Sequence, residues 1–126
     1  MFDLNNYHGL VMRTAKTKEF NWNLIHAALG LTSEAGEFAD AVKAHVVYNK
    51  QLDHENLVEE LGDLLWFITY ASDALGVNLS LIAEQNIAKL RKRYPEGFSE
   101  RDGLLRADKI RIRLNDATES QWDKVR

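Results

Sequence analysis

The sequence contains no cysteine, which excludes disulfides, thiolate metal sites and cysteine nucleophiles. No apolar run approaches the roughly 18 residues that a membrane-spanning helix needs. The N-terminal stretch MFDLNNYHGLVMRTAKTKEF also lacks the apolar core and small-residue cleavage site of a signal peptide. We therefore expect a cytoplasmic protein with no membrane attachment.

A surplus of basic residues is missing as well. The chain carries 16 lysines and arginines against 19 acidic residues, a formal net charge of −3 at pH 7. A protein that binds nucleic acid through phosphate contacts needs the opposite balance, so we expect no nucleic acid polymer as a partner. A small phosphorylated ligand at a local cluster of cations remains compatible with this charge. The phosphate-loop pattern G-x-x-x-x-G-K-[ST] and the serine-hydrolase pattern G-x-S-x-G are both absent.

Proline is nearly absent too, because Pro95 is the only one in 126 residues. The 94 residues before it therefore contain no proline break, which favours helices. Apolar residues recur at intervals of three and four in this region, the spacing of a buried helical stripe. The pattern predicts four helices, over residues 3–18, 22–46, 54–75 and 80–93.

A chain of this length is expected to form one domain. Asp53 is a predicted N-cap and Gly76 a predicted helix stop. The stretch YPEGFSERDG has the composition of a turn, and KIRIRL fits a short strand or a helix edge equally well. We predict an all-α fold resembling a four-helix bundle over residues 1–98. A C-terminal extension over residues 99–126 is expected to pack on the same domain or on a neighbouring subunit.

Aromatic side chains are more numerous on the predicted helices than one small bundle can bury. An exposed apolar face of this kind is typical of a subunit contact. We therefore expect a homo-oligomer, with a tetramer favoured over a dimer. The aromatic residues concerned are Trp22, Phe38, Trp66, Phe67 and Tyr70.

Acidic residues interrupt two of the predicted apolar stripes. Glu34 lies on the stripe of the second helix and Glu60 on that of the third, and each is followed three residues later by another acid, Glu37 and Asp63. Antiparallel packing of these helices would bring the four carboxylates together, where they repel one another unless a cation neutralises them. Oxygen ligands favour Mg²⁺ or Mn²⁺. Two alternatives are solvent-facing acids and acids paired with lysine or arginine from other helices.

Glycines accompany both acidic pairs at equivalent positions. Gly36 and Gly62 each precede the second acid of a pair, and the missing Cβ is expected to leave room around a metal ion and its waters. Gly30, on the same helix as Gly36, has no role in the metal site and suggests a close helix crossing.

The two motifs SEAGEFAD and EELGDLLW resemble the E-x-x-E and E-x-x-D signature of the all-α nucleoside triphosphate pyrophosphohydrolases, the MazG-like proteins. The later stretch NIAKLRKRYPEGF resembles the segment that follows in many members. The resemblance covers about residues 22–98 and implies that Glu34, Glu37, Glu60 and Asp63 bind Mg²⁺, with Mn²⁺ as a substitute. The implied reaction is hydrolysis of a nucleoside triphosphate between its α- and β-phosphates, with Glu34 or Glu37 activating the water.

Cations and an amide share one face of the fourth predicted helix. Lys89 and Arg93 are candidates for neutralising the β- and γ-phosphates, and Asn86 for binding a sugar oxygen or an oxygen at the metal; the resemblance supports these roles. Tyr94 is expected to stack on the nucleotide or close the pocket. The alternative for the cations is a favourable interaction with the helix macrodipole alone.

Three further residues form a candidate base pocket: Trp22, His26 and Trp66. For any one of these rings, packing in the core or at a subunit interface is the alternative role. Within the same fold, the resemblance also admits a phosphoribosyl-ATP or alarmone pyrophosphohydrolase. Two alternatives are not enzymes. One is a helical protein whose acids bind a cation without catalysis, and the other is an adaptor that binds a partner through its aromatic face.

Overall fold

The computed structural model describes residues 2–109. Within that range the chain forms five α-helices, one short 3₁₀-helix over Ala107–Lys109 and no strand, which confirms the all-α prediction. The α-helices are α1 (Leu4–Met12), α2 (Phe20–Val46), α3 (His54–Ala74), α4 (Leu79–Arg93) and α5 (Glu100–Leu105). No single described helix is long and apolar enough to cross a membrane; α3 and α4 meet that criterion only when counted together across the break between them.

Side-chain caps fix where the first three helices begin. The Asp3 carboxylate accepts hydrogen bonds from the amides of Asn5 and Asn6 at 2.9 and 2.8 Å. Glu19 caps α2 by accepting from an amide of its first turn. Asp53 caps α3 through the Asn56 amide at 3.0 Å, as the sequence predicts. These bonds satisfy amides that have no partner inside the helix.

The chain divides into two compact units, with the boundary after Leu81. In the first unit α2 packs along α3, and α1 contacts α3. His26 lies against Tyr70 near the start of α2, and Glu34 and Glu60 approach each other further along it. The residue numbers therefore rise on one helix while they fall on the other, which confirms the predicted antiparallel pairing.

Gly30 on α2 lies directly against a side chain of α3. It is buried, and a Cβ placed on it would overlap the ring of Phe67 on α3. The aromatic ring thus packs directly against the α2 backbone, and only glycine leaves space for it. The contact of the Phe67 ring with the α2 backbone therefore accounts for the glycine at this position.

The predicted first helix is too long. α1 ends at Met12 rather than at residue 18, because the following residues are held by tertiary hydrogen bonds. The Trp66 indole N–H donates to the Thr14 hydroxyl at 2.9 Å, and the Tyr70 hydroxyl donates to the Lys16 carbonyl at 2.8 Å. These bonds tie the α1–α2 loop to α3 and stop the helix early.

The apolar core of the first unit is small. The buried apolar side chains in the described residues are Val11, Ala27, Tyr70 and Leu79. Several apolar residues of these helices are exposed, among them Leu10, Val46 and Leu61. The buried residues of α2 are Ala27 and Gly30, because its antiparallel partner α3 is the main surface that α2 covers.

In the second unit, only part of the stretch YPEGFSERDG forms the turn that its composition predicts. Gly97 adopts a φ of 94°, which suits a turn, but the chain then forms α5. Ser99 caps this helix by accepting a hydrogen bond from the Asp102 amide at 3.1 Å. The KIRIRL stretch begins at Lys109, and its remaining residues lie outside the described range.

Candidate active site

Three glutamates from two helices converge in the first unit. Glu34 and Glu37 on α2 and Glu60 on α3 each place a carboxylate oxygen within 4.8 Å of the others. Their burial differs: Glu60 is only 7% exposed, Glu34 is half-buried and Glu37 is exposed. The apolar stripes that carry Glu34 and Glu60 explain this gradient, because a residue on the stripe must face the neighbouring helix.

The cluster resists full ionisation. Burial raises the pKa of Glu34 above its ordinary 4.5, and the charges of Glu37 and Asp63 raise it further. Burial likewise raises the pKa of Glu60, with added repulsion from Glu37, Glu34 and Asp63. Both effects penalise the charged carboxylate, so a cation placed among these oxygens would relieve an existing electrostatic cost.

Asp63 lies at the edge of this arrangement. It is exposed and falls outside the group of three oxygens, but its charge raises the pKa values of both Glu34 and Glu60. The structure thus brings three of the four predicted metal ligands together and leaves the fourth close by. Its role as a ligand stays a prediction.

The oxygen atoms suit a small hard cation. Two ligands on opposite sides of an octahedral Mg²⁺, each about 2.1 Å away, are about 4.2 Å apart, so the observed separations require only small side-chain movements. Within residues 2–109, lysine, arginine and histidine form ion pairs with Asp73, Asp40 and Asp108, and none of these pairs involves the cluster. The residues present therefore fit a divalent metal ion.

The raised pKa values predict a stability that depends on pH and on metal. Between 4.5 and the raised values of Glu34 and Glu60, the folded chain binds more protons than the unfolded chain, so stability falls as pH rises through this window. We expect the Tm of metal-free protein to decrease as the pH rises above 4.5, and Mg²⁺ to restore part of it at neutral pH. Asp108 does not interfere, because its pKa is lowered by Arg93 from an ordinary 3.8 and titrates below this window.

Thermal melts in EDTA and in Mg²⁺ over pH 4–8 would measure this effect. A Glu60→Gln variant should show a flatter profile, since one of the two groups no longer titrates. A Tm that is the same with and without Mg²⁺ at neutral pH would contradict the proposed cation site.

The role expected for the glycines beside the acids stays a prediction. A Cβ on Gly36 or Gly62 would meet no atom within 4 Å, and both residues are exposed. No packing contact among residues 2–109 therefore requires glycine at either position.

The three residues of the predicted base pocket lie in one aromatic cluster on α2 and α3. The His26 ring is at the centre, with its centroid 5.0 Å from that of Trp22, 5.7 Å from Phe67 and 5.1 Å from Tyr70. Trp66 packs edge-on against Phe67 at 4.8 Å. His26 is about two helical turns before Glu34 on α2, which places the cluster beside the carboxylates on the same helix pair.

Most polar atoms of the aromatic cluster have partners. Trp66 donates to the α1–α2 loop, and the single proton of the Tyr70 hydroxyl is shared between the Lys16 carbonyl of that loop and Oδ1 of Asn23, 2.8 and 2.9 Å away. The Lys18 ammonium lies 4.9 Å from the centre of the Trp22 ring, within the range of a cation–π contact. By contrast, Nδ1 of His26 is buried with no hydrogen-bond partner among residues 2–109. Sequence patterns did not reveal the loop contacts, because they join residues about 50 positions apart.

The predicted phosphate-binding residues lie in the second unit. Asn86 and Lys89 are exposed on α4. Arg93 is half-buried and forms two hydrogen bonds with Asp108, and Tyr94 packs against Phe98 with ring centroids 5.6 Å apart. Their roles toward a nucleotide stay predictions.

Comparison with known proteins identifies a family for most of the chain. Residues 24–98 match the family described as MazG nucleotide pyrophosphohydrolase domain. Gene 37 protein of Mycobacterium phage L5 is 33% identical over 85 residues, which cover 64% of this chain and 74% of the phage protein. Uncharacterized protein YvdC of Bacillus subtilis (strain 168) is 33% identical over 73 residues, 51% of this chain and 69% of that protein. No solved structure matches.

Proposed function

This chain belongs to the MazG nucleotide pyrophosphohydrolase family, and we propose that it hydrolyses nucleoside triphosphates in a reaction that requires Mg²⁺. The bond cleaved is the α–β phosphoanhydride, and the products are a nucleoside monophosphate and pyrophosphate. The observation that carries the proposal is the convergence of Glu34, Glu37 and Glu60 within 4.8 Å of one another. We place the reaction in the cytoplasm, where such substrates are abundant.

We assign the cation to the carboxylates of Glu34, Glu37, Glu60 and Asp63, with Mn²⁺ as a substitute for Mg²⁺. When bound, the ion supplies neutralisation of phosphate charge and a lower pKa for a coordinated water. The reaction requires little more than that neutralisation and the positioning of a nucleophile. Glu60, buried between the helices, holds its oxygens in a fixed place.

The proton of the attacking water needs an acceptor. Of the two candidates, we favour Glu37 over Glu34, because Glu37 is exposed and accessible to a water molecule. Glu34 then serves mainly as a ligand.

The aromatic cluster is the proposed site for the nucleobase. Trp22, His26 and Trp66 belong to one cluster of rings on the same helices as the carboxylates, and a polar atom of the base would supply the partner that the buried Nδ1 of His26 lacks among residues 2–109. In the second unit, Asn86, Lys89, Arg93 and Tyr94 are the proposed ligands of the phosphates and the sugar.

A panel of nucleotides tests this proposal together with the alternative substrate classes that the same fold admits. Purified chain with Mg²⁺ should release pyrophosphate from at least one ribo- or deoxyribonucleoside triphosphate. Phosphoribosyl-ATP and alarmone nucleotides belong in the same panel, because cleavage of one of these alone would identify the alternative substrate class.

Calorimetry distinguishes an enzyme from a protein that only binds cations. Binding of Mg²⁺ with a rise in Tm but with no turnover of any nucleotide would favour the non-catalytic alternative. An adaptor that binds a partner through its aromatic face would instead keep that binding when the acids are replaced. It would lose the binding when Trp66 or Phe67 is replaced.

We also propose that the chain forms a homo-oligomer, with a tetramer favoured over a dimer. The support is a set of large apolar side chains, each more than half exposed on α2 or α3, which is more than a small monomer normally leaves in water. They are Phe20, Ile25, Leu29 and Val46 on α2 and Val58 and Leu61 on α3.

Light scattering should give a mass of about 58 kDa, four times the 14.4 kDa of one chain. A charge in place of one of these residues, Leu29→Asp, should lower that mass, and Ala39→Asp at another exposed position of α2 should leave it unchanged. A single-chain mass for the unaltered protein would contradict the oligomer, and a mass near two chains would replace the tetramer with a dimer.

A further inference from the structure

A buried ion pair ties the end of α4 to the chain that follows α5. Nε of Arg93 donates to one carboxylate oxygen of Asp108 at 2.8 Å, and Nη2 donates to the other at 2.9 Å. The Asp108 side chain has no exposed surface, and that of Arg93 keeps 19% of its own. A two-point contact of this kind fixes the plane of the guanidinium group.

A second arginine approaches the same carboxylate. Nε of Arg106 is 3.8 Å from Asp108, and 43% of the Arg106 side chain is exposed. Arg106 ends α5 in the left-handed region with a φ of 53°, and its amide donates to the Asp102 carbonyl at 3.2 Å. This backbone conformation turns the chain so that Arg106 and Asp108 both lie beside Arg93.

The three residues together retain a net single positive charge. A guanidinium group carries five N–H donors, and the two hydrogen bonds to Asp108 use one on Nε and one on Nη2 of Arg93. Donors therefore remain on Arg93, and Arg106 adds its own at a partly exposed position. Paired guanidinium groups held in this way suit phosphate oxygens, which they bind through parallel hydrogen bonds.

We propose that Arg106 is a further phosphate-binding residue and that Asp108 is a positioning residue, which holds Arg93 and Arg106 side by side for the polyphosphate of the nucleotide. The inference rests on the proposed function, which assigns Arg93 to the phosphates. Both new residues lie beyond the matched range of 24–98. The paired site therefore joins Arg93, inside the matched range, to two residues that the family match does not include.

Steady-state kinetics of the full chain with Mg²⁺ and its best nucleoside triphosphate test this site. Arg106→Gln should raise KM about tenfold with kcat changed by no more than about twofold, the pattern of a lost binding contact. Arg106→Lys, which keeps the charge, should restore part of the loss. Asp108→Asn should raise KM in the same way, because Arg93 and Arg106 are no longer held together.

Ser99→Ala is the matched control for Asp108→Asn. It removes the cap of α5 and loosens the same segment without touching the three charged residues. We expect a lower Tm and an unchanged KM. The inhibition constant of pyrophosphate, measured on each variant, should follow the KM values.

Several outcomes would overturn the inference. An unchanged KM in Arg106→Gln would remove Arg106 from the site. A fall in KM in Asp108→Asn would show that the carboxylate competes with phosphate instead of positioning the arginines. Equal effects of Ser99→Ala and Asp108→Asn would reduce Asp108 to a structural role. If the unaltered chain cleaves its substrate in any of these cases, the inference fails alone; if it cleaves no nucleotide, the proposed function fails and the inference fails with it.

Discussion

Replacing Glu60 with glutamine is expected to lower kcat for pyrophosphate release by about 100- to 1000-fold, the effect of removing one preorganised electrostatic group from an active site. Glu60 is the most buried member of the carboxylate cluster, with 7% of its surface exposed. The same substitution should raise the Tm of metal-free protein at neutral pH, because it removes a carboxylate whose charged form is penalised by burial and by its neighbours. Activity and metal-free stability should thus move in opposite directions.

Glu59→Gln is the matched control. Glu59 precedes Glu60 on α3 but is exposed and lies outside the group of three oxygens. It should retain activity and bind Mg²⁺ with unchanged affinity in calorimetry. An active Glu60→Gln variant, or equal losses in the two variants, would show that the cluster is not the catalytic centre.

Replacing Gly30 with alanine is expected to destabilise the fold by about 1–3 kcal/mol, the usual cost of forcing an extra group into a packed contact. The added Cβ would overlap the Phe67 ring, which itself packs against His26 and Trp66. Any shift of Phe67 therefore moves the aromatic cluster, so nucleotide affinity should fall together with stability. Urea unfolding and substrate KM measure the two effects.

Gly36→Ala, on the same helix, is expected to have the opposite effect on the stability of the fold. Nothing lies within 4 Å of the new Cβ, and alanine is favoured over glycine in a helix interior by up to about 1 kcal/mol. Stability should therefore rise or stay the same. A Gly30→Ala variant as stable as Gly36→Ala would contradict the close contact between α2 and α3.

Helical periodicity predicted the carboxylate cluster well because its members occupy stripe positions on two long helices. Glu34 and Glu60 each interrupt an apolar stripe that continues before and after them along the helix. The antiparallel pairing of α2 and α3 brings the two residues together. Asp53 and Gly76 were recognisable as helix boundaries for a local reason, since a capping carboxylate and a residue with a φ of 68° act within one turn.

Features that depend on distant contacts could not be predicted in this way. The early end of α1 results from hydrogen bonds of Thr14 and Lys16 with α3, which no local propensity encodes. The contact that requires glycine at position 30 is a property of packing between α2 and α3, and the spacing of glycines along the chain does not encode it. The ion pair of Arg93 with Asp108 likewise depends on how α5 turns the chain back.

Product analysis by ³¹P NMR tests the central claim most directly. We expect equimolar nucleoside monophosphate and pyrophosphate from a nucleoside triphosphate, in a reaction that stops in EDTA, is about 100- to 1000-fold slower in Glu60→Gln and continues in Glu59→Gln. Release of orthophosphate and a nucleoside diphosphate would place the cleavage at the wrong bond. Turnover that persists without Mg²⁺, undiminished turnover in Glu60→Gln, or no turnover of any nucleotide in the panel would contradict the role given to the carboxylate cluster.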